Sequence, residues 1–241
     1  MSFTKYETRG AYHWKELANR SPESYSARLH AQYDWFVEQA RNRQPKLIVD
    51  VGCGDAALTH LLSEATGARV VGIEPEPRGI ELAEQALSEA GSRAQVRHGR
   101  GEELPFGDGE VSLVVMSEVV EHVESAERLV AEAARVLEPS GTLLVSTPQW
   151  QRPDLREHHV REYRGDELAE VCRPFFEEVE VLVAEPPGLY DRYLSARWIA
   201  LAVNLVSLAG WNPFGLRLPA TPRRARWREL FAVAARPRHA S

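Results

Sequence analysis

Five short strand-like runs, four of them apolar and spaced by helix-like segments or turns, constrain this chain more than any other feature. KLIVDV (46–51) reads as a buried strand, and ARVVGIEP (68–75), the shorter and more polar AQVRHG (94–99), EVSLVVMS (110–117) and TLLVSTP (142–148) read as strands after it. Between them, DAALTHLLSEATG, EPRGIELAEQALSEAG and VEHVESAERLVAEAARVL carry apolar residues at helical spacing, the first two ending at glycine. Strands that alternate with helices form a parallel sheet, and cover on both faces lets them be apolar throughout. Further along, DELAEVCRPF predicts a helix, EEVEVLVAEP a strand and LFAVAARP a last strand. The expected class is α/β, a Rossmann-like doubly wound sheet.

With 241 residues and 44% hydrophobic content, the chain suits one such domain. Its expected parts are an N-terminal helical lid or cap over 1–44, a ligand-binding core over 45–184, a late helical insertion over 185–225 and the last strand over 226–237. A helix is predicted in YSARLHAQYDWFVEQA. The net charge of −6 gives no overall basic field, so nucleic acid is not an expected partner. Cys53 and Cys172 are too few for a disulfide framework and read as free thiols in a reducing compartment. MSFTKYETRG has no apolar leader core, and WIALAVNLVSLAGW falls short of the roughly 20 residues that span a bilayer. A cytoplasmic protein is expected.

The first strand runs into VDVGCGDAAL (49–58). A Gly-x-Gly turn here lets a ligand approach the backbone beside a helix N-terminus, where open α/β sheets bind ligands. Gly52-x-Gly54-x-x-Ala57 also fits a dinucleotide fingerprint. The flanking carboxylates separate the two. Asp50 and Asp55 repel a diphosphate and attract a cation. S-adenosylmethionine carries an ammonium and a sulfonium but no phosphate, so the turn suits its amino-acid end. Glu74 closes the second strand, where a carboxylate can accept ribose hydroxyls, although an ordinary strand-end Glu looks the same alone.

In order, VDVGCGDAAL, VVGIEPEP, GEELPF, VSLVVMSEVVEHV and PSGTLLVSTP resemble the motifs of class I S-adenosylmethionine-dependent methyltransferases, in their small-molecule methyltransferase 11/12 branch. The resemblance covers about residues 45–184 and the final strand. It implies a seven-stranded, mostly parallel sheet with an antiparallel last strand, S-adenosylmethionine as cofactor and S-adenosylhomocysteine as product. It also implies that Asp50, Gly52 and Gly54, with Cys53 between them, hold the methionine part, and that Glu74, followed by Pro75, holds the ribose. Gly101 and Glu102 would flank the adenine, and Ser117 and Glu118 would line the reactive side. The chain departs from the pattern at Ala56, where a third Gly is usual, at Arg100, where an Asp commonly meets the adenine amine, and at Ser112, where an Asp is also replaced.

Methyl transfer is an in-line displacement with an activated leaving group. The protein aligns the nucleophile and, for a hydroxyl, removes a proton. Glu118, Glu121 and His122 have the spacing of one helical face. They read either as a general base, His122, oriented by a carboxylate, or as residues that cap and pack the long helix. REHHVREYRGDEL places His158, His159, Arg161 and Tyr163 after the fifth strand, a loop that lies beside the transferred methyl in the family. His titrates near neutrality, so His159 is the favoured base, with His158 and Tyr163 on the substrate side. Two Glu and two His also resemble the metal site of small-RNA 3′-terminal 2′-O-methyltransferases. The later His comes sooner here and no RNA-binding region is evident, so no metal is expected.

Tyr12, His13 and Trp14 either close over the cofactor or anchor a surface helix. In the insertion, Tyr190, Tyr193, Leu194, Trp198, Leu201 and Leu205 form an apolar stripe at helical spacing, either a substrate wall or core packing. Arg217, Arg223, Arg224, Arg226 and Arg228 follow. An apolar helix before a basic segment can rest on an anionic membrane, so 198–228 is a candidate peripheral contact. The expectation is a methyltransferase acting on a hydroxyl of an apolar, aromatic or lipid-like small molecule. The rivals are a metal-dependent RNA ribose methyltransferase and a non-catalytic cofactor-binding regulator. Asp50 and Asp55 disfavour an NAD-dependent oxidoreductase.

Overall fold

The computed structural model describes residues 5–18, 27–150, 158–184 and 229–239, together with Trp198, Leu201, Ala202, Leu205, Val206 and Ala209. Two short helices, α1 (Lys5–Arg9) and α2 (Tyr12–Ala18), precede the longer α3 (Ala27–Arg43). The alternating part follows as β1 (Leu47–Val51), α4 (Ala57–Thr66), β2 (Arg69–Glu74), α5 (Pro77–Glu89), β3 (Gln95–His98) and β4 (Val111–Ser117). Next come α6 (Ala126–Val136), β5 (Leu137–Pro148), α7 (Gly165–Cys172), β6 (Phe176–Ala184) and β7 (Glu229–Pro237).

The strands form one seven-stranded sheet in the order β3-β2-β1-β4-β5-β7-β6. β7 runs antiparallel to both β5 and β6, and the pairings among β1 to β5 are parallel. The strand order reverses direction between β1 and β4, so the carboxyl ends of these two strands flank a ready-made crevice. Period-two alternation divides the core. Val49, Val51, Val114, Met116, Leu143, Val145, Leu230 and Ala232 face α6 and α7. Ile48, Leu113, Val115, Leu144 and Phe231 face the opposite layer with Trp35, Phe36, Leu58 and Leu62. Both faces are covered, which is why these strands are almost uniformly apolar.

The structure corrects one helix. The predicted run from 120 to 137 is broken: Val120–His122 is a single 3₁₀ turn, Val123 is extended, and α6 starts only at Ala126. Ser125 caps that start by accepting from the Arg128 N–H at 3.3 Å. A serine cap with β-branched residues before it favours a fresh helix start over continuation. The PSG segment, expected to precede the fifth strand, lies within β5, where its pairing with β4 shifts register between Val111 and Leu113. Tyr190, Tyr193 and Leu194 lie outside the described residues.

Candidate active site

The turn after β1 is a tight backbone cradle. Gly52 (φ 68°), Gly54 (φ 58°) and Ala56 (φ 60°) are all left-handed, the region glycine enters most readily. A Cβ at Gly52 would sit 2.7 Å from Val119 Cγ2, and one at Gly54 would collide with the Tyr6 hydroxyl. The Gly52 and Cys53 N–H groups both donate to the Ile73 carbonyl, at 2.8 and 3.2 Å. Glu74 completes the brace. Its Oε2 accepts from the Gly54 N–H at 2.9 Å and its Oε1 from the Glu76 N–H at 3.0 Å. Gly54→Ala is therefore expected to cost at least about 1–2 kcal/mol from the backbone alone, before the clash with Tyr6. A thermal melt that matches the unsubstituted protein would contradict this reading.

The carboxylates of the cradle differ in kind. Asp50 is buried and accepts from Thr59 Oγ1 at 2.7 Å. Burial pushes its pKa up to about 7, against the Thr59 hydrogen bond and with a further push from Glu74. Burial raises Glu74 too, opposed by its two backbone donors. Asp55 is engaged by α2: it accepts from the His13 N–H at 3.0 Å and pairs with His13 Nδ1 at 3.1 Å. Its carbonyl accepts from Trp14 Nε1 at 2.7 Å. Burial raises the Cys53 thiol well above its usual value, which disfavours the thiolate, and its sulfur packs against Gly72.

Tyr12, His13 and Trp14 thus sit over the glycine turn. Trp14 also stacks on His60 of α4, with ring centroids 5.0 Å apart, and the Tyr12 ring lies 3.9 Å from that of His13. On the other flank, Gly101 fits only without a side chain, because a Cβ would meet Leu129 and Val51. Glu102 pairs with Arg100 at 3.7 Å, and the Pro75 carbonyl accepts from the His98 ring at 3.0 Å. Glu132 and Arg135 of α6 hold this flank in place. Glu132 accepts from the Leu104 N–H at 2.7 Å, and Arg135 donates to the carbonyls of Leu104 and Phe106.

A second polar cluster lies where β4 and β5 end. Ser117 pairs with Ser146 across the strands. Glu118 has φ 58° and its N–H donates to the Ser146 carbonyl at 3.0 Å. Gln32 Nε2 of α3 donates to Ser146 Oγ at 2.7 Å and lies 3.5 Å from Glu118 Oε1 and 3.4 Å from Glu229 Oε1. Glu121 is fully buried. Its Oε2 accepts from Thr147 Oγ1 at 3.0 Å, and its carbonyl accepts from the Val160 and Arg161 N–H groups. His122 Nδ1 donates to the His158 carbonyl at 2.9 Å, and His159 Nδ1 to the buried Glu162 carboxylate at 3.0 Å. Carbonyl and carboxylate oxygens only accept, so each neutral ring carries its hydrogen on Nδ1 and its lone pair on Nε2. The rings meet edge-on with centroids 4.9 Å apart.

The structure unites His122 and His159, but through a loop contact rather than a helical face shared with Glu118. His158 contributes its carbonyl, and its side chain is exposed. Tyr163, expected on the substrate side, is instead a core residue, 2% exposed, with its hydroxyl 3.4 Å from the Val120 carbonyl. Trp198 is 74% exposed rather than walling a cavity. Sequence reasoning missed Tyr6, Gln32, Thr59, Ser146, Thr147, Glu162 and Glu229. Glu162 stands three residues after His159, and Glu229 is a lone acid at the start of an apolar strand. Both patterns were visible in the sequence.

Residues 49–145 match the family described as "Methyltransferase domain". A ubiquinone biosynthesis O-methyltransferase of Azorhizobium caulinodans is 36% identical over 115 residues, 46% of this chain and 45% of that protein. A probable S-adenosylmethionine-dependent methyltransferase of Mycolicibacterium smegmatis is 32% identical over 173 residues, 69% of this chain and 64% of that protein. The chain thus spans about half to two-thirds of the length of these relatives. In fold it is similar to a phosphoethanolamine N-methyltransferase of Haemonchus contortus, solved with S-adenosylhomocysteine, at a TM-score of 0.68 and 14% identity, over 98% of this chain and 59% of that one. Sheet order, glycine cradle and relatives agree, and the chain belongs to the class I S-adenosylmethionine-dependent methyltransferases.

Proposed function

We propose that this chain methylates a hydroxyl on a small apolar, aromatic or lipid-like acceptor. The observation that carries this reading is the pair of imidazoles at the ends of β4 and β5. Both have their Nδ1–H engaged, and His159 is backed by the buried Glu162 carboxylate. The likeness to an O-methyltransferase of ubiquinone biosynthesis supports oxygen as the nucleophile.

The residues fit the cofactor. The cradle leaves no room for a Cβ at Gly52 or Gly54, and Asp50, Asp55 and Glu74 gather negative charge where a cationic ligand would be held. Asp50, Gly52, Cys53, Gly54, Glu74, Pro75, Gly101, Glu102 and Ser117 are the proposed contacts. S-adenosylmethionine supplies an electrophilic methyl with a neutral leaving group. The acceptor oxygen gains that methyl, and its proton passes to His159 Nε2. Glu162 then stabilises the imidazolium, while His122 and Glu118 border the acceptor.

Asp50 gives this reading a pH signature. Its folded pKa of about 7 exceeds the ordinary 3.8. Its contribution to apo stability is therefore complete below pH 3.8 and lost as pH rises through about 7. A ligand ammonium favours the carboxylate, so affinity for S-adenosylhomocysteine should weaken as pH falls below 7, by up to about tenfold per unit. Asp50→Asn should flatten the dependence in titration calorimetry. An unchanged slope in that variant would sink the assignment.

A second reading has its own observation: ligand atoms of Glu121, His122 and His159 all lie within 4.8 Å of one another. Two histidines oriented through Nδ1 can offer Nε2 to a divalent ion, with Glu121 as the carboxylate. One experiment separates the readings. S-[methyl-³H]adenosylmethionine and cell extract, with and without chelator, are resolved into organic, polar, RNA and protein fractions. Chelator-resistant label in the organic or polar fraction supports the proposal. Label in RNA that a chelator abolishes would overturn it in favour of a metal-dependent ribose methyltransferase. Cofactor binding with no label in any fraction would favour a non-catalytic regulator.

A further inference from the structure

We propose that Tyr6, Tyr12 and Tyr33 form an aromatic wall by which the cofactor site tells a sulfonium from a neutral thioether. All three lie outside the glycine motif, on the N-terminal helices α1, α2 and α3. The Tyr6 hydroxyl sits against Gly54, where a Cβ would collide with it. The ring centres of Tyr6 and Tyr12 are 6.0 Å apart, and the Tyr12 ring lies 3.9 Å from that of His13. The His13 ring, tied to Asp55, lies 6.3 Å from that of Tyr33. Tyr6 and Tyr33 are buried, so their rings face protein rather than water. The inference rests on the cofactor reading above and deepens it: the glycine cradle holds the amino-acid end, and the wall reads the charge on sulfur.

The rings gather around the same place as the acids. Burial raises the Tyr6 pKa, with further pushes from Tyr12, Asp55 and Glu74. Burial raises Tyr33 as well, followed by Asp55, Asp50, Tyr12 and Glu118. Tyr12 is raised by burial and then by Asp55 and Glu16, with Arg9 opposing. Asp55 thus acts on all three phenols. They stay protonated and present neutral π faces, and a neutral phenol is a poor nucleophile beside an activated methyl. The carboxylates do not separate cofactor from product by the ammonium, because both ligands carry it. Only the sulfur differs: as the methyl leaves, the sulfonium becomes a neutral thioether. A ring face attracts the first far more than the second. The Tyr12 ring already draws a cation, since the exposed Arg9 guanidinium lies 5.9 Å from its centre. A wall of this kind loses its hold on the ligand when the methyl is transferred, which favours exchange of product for fresh cofactor.

The test is titration calorimetry of the full chain with S-adenosylmethionine and with S-adenosylhomocysteine, without acceptor, read as the ratio of the two affinities. Tyr12→Leu should weaken S-adenosylmethionine relative to S-adenosylhomocysteine by about 2- to 30-fold. Tyr12→Phe keeps the ring and should hold the ratio within about twofold of the unsubstituted protein. Tyr6→Leu, on the separate helix α1, should shift the ratio in the same direction and carries the test if Tyr12→Leu does not fold. An unchanged ratio in the Leu variants, equal weakening of both ligands, or a loss in Tyr12→Phe as large as in Tyr12→Leu would each overturn the proposal. Those results leave the cofactor reading standing, because both ligands still bind. Binding of neither ligand by the unsubstituted protein would overturn the cofactor reading, and this inference with it.

Discussion

Glu74→Ala is expected to abolish measurable binding of S-adenosylhomocysteine and to lower the melting temperature. The carboxylate is 5% exposed and takes one backbone donor from each of two successive strand-to-helix turns, Gly54 and Glu76. Removing it strands the buried Gly54 N–H, which costs about 1–3 kcal/mol, and frees the part-buried Glu76 N–H. At roughly 2–4 °C per kcal/mol for a chain of this size, the loss is easily seen in a melt. The glycine turn then loses a brace on its left-handed conformation, so affinity is expected to fall by roughly two orders of magnitude or more, counting the proposed ribose contact as well. Glu74→Gln keeps one acceptor oxygen and turns the other into a donor facing an N–H, so it should fall between. Titration calorimetry decides the matter, and unchanged affinity in Glu74→Ala would remove Glu74 from the binding site.

His159→Ala should reduce kcat about 10²- to 10⁴-fold, the usual range for a lost general base, with little change in cofactor affinity. The imidazole lies on a loop after β5, its Nδ1–H fixed by Glu162, so its removal leaves the cradle untouched. Glu162→Gln should lower kcat less, because the amide oxygen still accepts from Nδ1 but no longer stabilises an imidazolium. His122→Ala tests the neighbour separately, since its Nδ1 is held by a backbone carbonyl and not by an acid. Equal turnover in both histidine variants would show that the acceptor loses its proton elsewhere.

The fold was largely legible because its determinants are local. β1, β2, β4 and the second half of β5 are apolar runs, and Gly52, Gly54 and Gly67 punctuate the chain where the backbone turns left-handed. The cradle was legible for the same reason, since Asp50, Glu74 and the glycines keep a fixed spacing along β1 and β2. The second cluster was not. Its geometry depends on a helix that stops at His122 and restarts at Ala126, and on Glu121 being buried against Thr147. Helical periodicity cannot report a break of three residues. Gln32 and Glu229 come from opposite ends of the chain and meet over Ser146, a contact set by β7 entering the sheet beside β5. Tyr163 misled because a polar aromatic in a charged loop looks like a recognition residue until its ring is seen in the core.

The convergence of α2 on one residue bears on timing. The first part of α2 holds the glycine turn through the His13 N–H, the His13 ring and the Trp14 indole, all on Asp55. Three attachments to a single point detach together, so this cover does not peel back from one edge. A molecule held beneath this cover would leave only after those contacts part, so its residence time would depend on that event as well as on its own contacts. In such an arrangement the N-terminus would time repeated turnover, far in sequence from the histidines proposed to perform the chemistry.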